Sequence, residues 1–191
     1  MTLEKKETMP SVQASTPWRY STPAIVLHWV LAALIVFMAG LGWWMMTVEH
    51  EPGGRAWINL HQSVGLILAT LVLLRVLWRI FHRPEPLPAG VPPWQARLSH
   101  IVQWLLYLVM VLLPLTGIIG SVYSKAGLHF FGPSTNAGLT PVRDTAEQFF
   151  GFHEILVWTL VVLVSLHVLG GFKHLLVDRD RVFDRMWPRR G

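Results

Sequence analysis

The stretch FFGFHEILVWTLVVLVSLHVLGGFKHLLV, residues 149–177, decides how the rest of the chain is read. It is longer than the roughly 20 apolar residues that an α-helix needs to cross a bilayer core. Three histidines interrupt it, His174 near its end and, deeper in the run, His153 and His167. The 14-residue separation of the latter two falls about 40° short of four helical turns, so both rings project from nearly one face, roughly 21 Å apart along the axis. An unpaired imidazole in hydrocarbon is expensive, so this stripe faces other helices and not lipid.

Three further apolar runs precede it, from about Ala24 to Met46, Trp57 to Phe81 and Leu98 to Tyr123. The first follows a polar tail and is longer than the roughly 7–15-residue core of a signal peptide, so it reads as a span. Pro23 suits its first turn. Pro52-Gly53-Gly54 turns the chain back between the first two runs. Pro84, Pro86, Pro88, Pro92 and Pro93 make the second connection stiff and extended, because proline lacks the amide hydrogen and restricts its predecessor. Pro114, Gly117 and Gly120 in the third run mark a kink or a close helix approach. The expected architecture is an all-α transmembrane four-helix bundle. It comprises an N-terminal tail over residues 1–20, the membrane domain over 21–177 and a basic C-terminal tail over 178–191.

Composition agrees with a membrane chain. Of 191 residues 52% are hydrophobic and only 14% charged, with ten tryptophans and no cysteine. Lack of cysteine excludes disulfides, thiolate-held iron–sulfur clusters, a covalent Cys-x-x-Cys-His haem and a cysteine nucleophile. No Gly-x-Gly-x-x-Gly or Walker-type loop supports nucleotide or flavin binding. The pI near 10.1 does not indicate nucleic acid, because the basic residues sit at the ends of apolar runs. Trp18, Trp43, Trp44, Trp57, Trp78, Trp94 and Trp187 fall near span ends, as an interfacial belt requires. The two tails, the proline connector and their flanking helix ends carry 13 of the 16 Lys and Arg, whereas the other side has Arg55, Lys125 and Arg143. The positive-inside rule therefore predicts that both termini are cytoplasmic.

With antiparallel helices, His28 in the first run comes level with His167, and His61 in the second with His153. Each level then holds two imidazoles from different helices, as an iron clasped from both faces of a porphyrin requires. Zinc is a rival, although it prefers four ligands, or three and water, and only Glu154 is a nearby carboxylate. Histidines that simply bond to neighbouring helices are another. Arg75 follows His61 by the same 14 residues, which brings it to the inner level, where it would neutralise a haem propionate or else snorkel to the interface. Gly42 and Gly65 would leave room for porphyrin faces, or serve only helix packing. His50 and His129 fall in outer loops, and His82 and His174 at inner helix ends. His100, beside Ser99 and Gln103, either lines a polar pocket for a quinone head group or is simply interfacial.

The segments Ile25-Val26-Leu27-His28-Trp29, Ile58-Asn59-Leu60-His61-Gln62-Ser63-Val64-Gly65, Leu113-Pro114-Leu115-Thr116-Gly117 and Phe152-His153-Glu154 resemble the bacterial cytochrome b561 family, as do His167 and the final Arg185-Met186-Trp187-Pro188. The resemblance covers about residues 20–188. It implies a bacterial inner-membrane protein with two non-covalent b haems, ligated by His28 with His167 and by His61 with His153. It further implies single-electron transfer involving ubiquinone, either as a superoxide oxidase fed from the periplasm or as the haem-bearing relay subunit of a hydrogenase or dehydrogenase. Membrane lipid, quinone, superoxide and a redox partner protein are the expected partners. The outer segments hold Glu49, Glu51, Asp144, Glu147 and Glu154 against three cations, an unhelpful balance for an anionic substrate. Lys125, His129 and Arg143 are the candidates for a local positive funnel. A metal or proton transporter using the membrane histidines is the remaining rival.

Overall fold

A computed structural model describes residues 18–87 and 90–188. Lys5, Lys6, Pro88, Arg189 and Arg190, with most of the N-terminal tail, lie outside the described residues. Four helices dominate: α1 (Thr22–Val48), α2 (Gly54–Phe81), α3 (Pro93–Tyr123) and α4 (Arg143–Lys173). All four are long and apolar enough to cross a membrane. Between α3 and α4 lies a small antiparallel hairpin, β1 (Leu128–His129) and β2 (Ser134–Thr135), with Leu128 opposite Thr135.

Each helix start has a local cause. Pro23 occupies the first turn of α1, where a missing amide hydrogen leaves no bond unmade. Gly53 adopts a left-handed φ of 87°, and Gly54 then opens α2 against the backbone of Val48 and Glu49. α3 begins at Pro93, inside the proline-rich connector expected to be extended, because a proline at a helix start costs no hydrogen bond. α4 starts ahead of the apolar run, at Arg143, whose guanidinium pairs with Glu147 one turn on. At its far end α4 loosens into a π-helical turn, His174–Asp178. There Lys173 pairs with Asp178 at 2.5 Å and His174 with Asp180 at 2.6 Å.

Two small buried clusters hold the bundle. Leu31, Leu68 and Val72 join α1 to α2, while Leu106, Val109 and Leu163 join α3 to α4; Met110 packs against both. Most large apolar side chains point outward instead, among them Phe37, Trp43, Leu74, Ile155, Trp158 and Val162. A surface of this kind is stable against lipid tails, which are as apolar as leucine. Exposed Trp43, Trp57, Trp94 and Trp187 lie near helix ends.

The C-terminal segment folds back and ties one end of the bundle together. The amide of Tyr20 donates to the carbonyl of Arg185, and the guanidinium of Arg19 to that of Trp187. Trp29 Nε1 donates to Met186 at 2.8 Å. Arg185 reaches the connector carbonyls of Glu85 and Pro86 and lies 5.1 Å from the centre of the Trp18 ring.

A Cβ at residue 54 would collide with the carbonyl oxygen of Val48, a backbone atom that cannot swing away. Gly54→Ala is therefore expected to cost about 1–3 kcal/mol. A lowered thermal midpoint of the purified protein in detergent checks this.

Candidate functional site

The helix order brings four imidazoles into two facing pairs. His28 of α1 meets His167 of α4, with ring centroids 6.0 Å apart and planes inclined by 67°. His61 of α2 meets His153 of α4 at 6.4 Å and 77°. The first pair lies toward the end where α1 begins and α4 stops, the termini end, and the second toward the end that carries the β1–β2 hairpin. No single helix supplies both members of a pair, so each depends on the antiparallel packing.

The α3 backbone orients His153. Its Nδ1 is 2.9 Å from the carbonyl oxygen of Leu113 and 3.3 Å from Thr116 Oγ1, while the Thr116 hydroxyl itself donates to Leu113 at 2.8 Å. A carbonyl only accepts, so Nδ1 carries the proton and Nε2 keeps its lone pair. On His61 the Nδ1 is buried and has no hydrogen-bond partner among the described residues. Such an atom is costly in an apolar interior unless its ring has another function.

The remaining expected residues are dispersed. Gly42 lies against the His61 ring, where an added Cβ would stand 3.4 Å from Cε1, and Gly65 faces Met38. Arg75 is only 6% exposed, and its Nη1 donates to the carbonyl of Ala24 at 2.8 Å, one turn before His28. His100 is exposed near the start of α3, at the termini end. Lys125, His129 and Arg143 lie at the opposite end. Lys125 is exposed, Arg143 is engaged by Glu147, and the His129 ring is 3.1 Å from the carbonyl of Gly132.

Comparison with known proteins now bears on these pairs. A model of the family described as prokaryotic cytochrome b561 matches residues 19–189. The chain belongs to that family. It is 32% identical to cytochrome b561 homolog 2 of Escherichia coli strain K12, over 90% of this chain and 93% of that protein. It is 27% identical to cytochrome b561 homolog 1 of the same strain, which it covers to 98%. It is 23% identical to a probable superoxide oxidase CybB of Yersinia pestis, covering 97% of that protein and 90% of this chain.

Membership of the cytochrome b561 family implies a b-type haem and membrane electron transfer, and the described residues fit such a group. Two imidazole nitrogens at roughly 2 Å from a shared metal atom put their ring centroids about 6.3 Å apart, close to both observed separations. Among the described residues neither pair has a third His, Asp or Glu donor. Among the described residues the one cluster of three His, Asp or Glu donors is His174, Asp178 and Asp180, away from both pairs. Two imidazoles alone, as in each pair, suit an iron whose remaining positions a porphyrin would fill better than they suit tetrahedral zinc.

Two features went beyond the sequence reading. Gly117, expected to mark a kink or a close helix approach, is where α3 approaches His153: an added Cβ would stand 3.1 Å from Cε1 and Nδ1 of the ring. Gln62 and Ser63, next to His61, clamp the hairpin. Gln62 Oε1 accepts from the His129 amide at 2.8 Å and its Nε2 donates to Ser121 at 3.1 Å, while Ser63 Oγ accepts from the Phe131 amide at 2.8 Å. The available signal was two polar residues inside an apolar span.

Gly117→Ala is expected to displace the His153 ring and break its bond to Leu113. Haem per chain in the purified variant should fall, or the b-type absorption band should broaden. An unaltered spectrum and haem content would show that α3 does not set the ring's position.

Proposed function

We propose that this chain is a di-haem cytochrome of the bacterial inner membrane that passes electrons from superoxide to ubiquinone. The observation that carries it is the presence of two separate imidazole pairs, each drawn from two helices and each without a third His, Asp or Glu donor among the described residues. In this reading His28 and His167 hold one b haem, and His61 and His153 the other. A b haem, if held by these residues, would supply a one-electron redox centre, and the imidazoles of each pair would be its protein ligands. Two superoxide anions each lose one electron to become dioxygen, and one ubiquinone takes up two electrons and two protons to become ubiquinol.

The chain's own residues position and tune. Leu113 holds the His153 tautomer that presents Nε2 as ligand. Arg75, buried at the termini level, supplies positive charge for a propionate. Gly42 keeps α1 close to the His61 ring, and Gly65 keeps α2 slim beside Met38. The excess of Lys and Arg at the termini end puts that end in the cytoplasm and the hairpin in the periplasm. Residues 1–20 and 178–191 then flank the membrane domain on the cytoplasmic side. Lys125 and His129 guide the anion, and His100 borders the quinone head group. The 23% identity with a probable superoxide oxidase supports the donor.

A second reading, the relay subunit of a dehydrogenase or hydrogenase, draws on the engagement of Arg143 by Glu147, which removes one cation from any funnel for superoxide. A single assay separates the two. The purified chain reduces ubiquinone when superoxide is generated beside it if it is the oxidase, and shows haem without turnover if it is a relay.

His153→Ala is expected to halve the haem content and leave the ligands of the other site intact, read by haem extraction per chain. Equal loss of both haems from a folded variant would contradict two independent sites. Arg75→Ala is expected to shift the midpoint potential of the haem at the termini level more than that of the other, in a spectroelectrochemical titration.

A further inference from the structure

At the termini end, between the segment leading into α1 and the last turns of α2, lies a cavity of about 250 Å³. Its lining includes Arg19, Arg75, Arg79, Arg83 and His82, with Trp78 beside them and no carboxylate. Arg75 and Arg79 stand one turn apart on one face of α2, and Arg83 lines the cavity from just beyond the helix end. None of the four guanidinium groups is paired with Asp or Glu among the described residues. Arg75 is anchored on Ala24 and Arg19 on Trp187. Arg79 is different: its Nη1 is buried and has no hydrogen-bond partner among the described residues.

Several guanidinium groups converging without a counter-charge repel one another, and a buried N–H without an acceptor adds a further cost. Both are relieved by an anion with several acceptor oxygens. A neutral quinone head group offers two carbonyl oxygens and no charge, which leaves the cluster uncompensated. A phosphate group accepts from planar guanidinium in bidentate fashion. Its natural depth in a bilayer is the interface, which is where the end of α2 and the ring of Trp78 lie.

We propose that this cavity binds a phosphate group, supplied by the headgroup of an acidic phospholipid from the adjoining leaflet. Arg79 and Arg83 grip the phosphate, while Arg19, held by the carbonyl of Trp187, frames it; Arg75, anchored on Ala24 deeper in the bundle, is not required. The proposal needs no haem at either imidazole pair, so it stands or falls apart from the function proposed above.

The test places the purified protein in nanodiscs of phosphatidylcholine alone, of phosphatidylcholine with phosphatidylglycerol, and of phosphatidylcholine with added inorganic phosphate. Thermal stability and native mass spectrometry of retained lipid are the readouts. Phosphatidylglycerol is expected to raise the midpoint and stay bound, and Arg83→Gln, at an exposed position, to lower its retention about fivefold. Arg79→Gln should do the same. Stabilisation by inorganic phosphate that the same substitutions abolish upholds the phosphate site and makes the free ion its source. Three results overturn the proposal: no stabilisation by either ligand, equal stabilisation of wild type and both variants, or a haem spectrum altered by Arg83→Gln with lipid retention unchanged. The last would assign the cluster to a haem propionate.

Discussion

An imidazole held within hydrocarbon must find a partner, and this constraint organises the bundle. Four such rings in an apolar chain would each cost more than a helix contact returns unless something satisfied them. Pairing across helices meets the demand and sets the packing at the same time. Because His153 and His167 share one face of α4, that helix must sit opposite α1 near the termini and opposite α2 near the hairpin. The two hydrophobic clusters, one joining α1 to α2 and the other α3 to α4, then close the bundle as two helix pairs bridged by Met110.

The two ends of the molecule are secured in different ways. At the termini end, backbone carbonyls of a returning C-terminal segment receive Arg19, Tyr20 and Trp29, and Arg185 spans to the α2–α3 connector. Residues that read as a tail are thus a brace, and the Arg-Met-Trp-Pro run that carried the family resemblance has a structural use. At the other end the side chains of Gln62 and Ser63 pin a hairpin directly beside His61. His61 and the hairpin are therefore coupled through adjacent residues of one helix.

Tuning of the sites rests on small groups next to the rings. A carbonyl from α3 fixes the proton on His153, and the missing side chain of Gly117 makes that approach possible. Gly42 does the equivalent for His61 from α1. Substitution at these glycines would shift the imidazole rings without replacing a histidine.

The sequence by itself determined four spans, their antiparallel order and the two levels of histidine, because bilayer thickness and helical pitch convert residue counts directly into depth. It missed the early starts of α3 and α4, since a proline or an ion-paired polar turn can open a helix before the apolar run begins. Only the tertiary structure decided which backbone meets His153, that Arg75 is anchored on Ala24, that Arg143 is spent on Glu147 and that four arginines surround one cavity. Those contacts depend on helix rotation and on where returning segments land, and these are set by packing among residues far apart in the chain, which no local periodicity records.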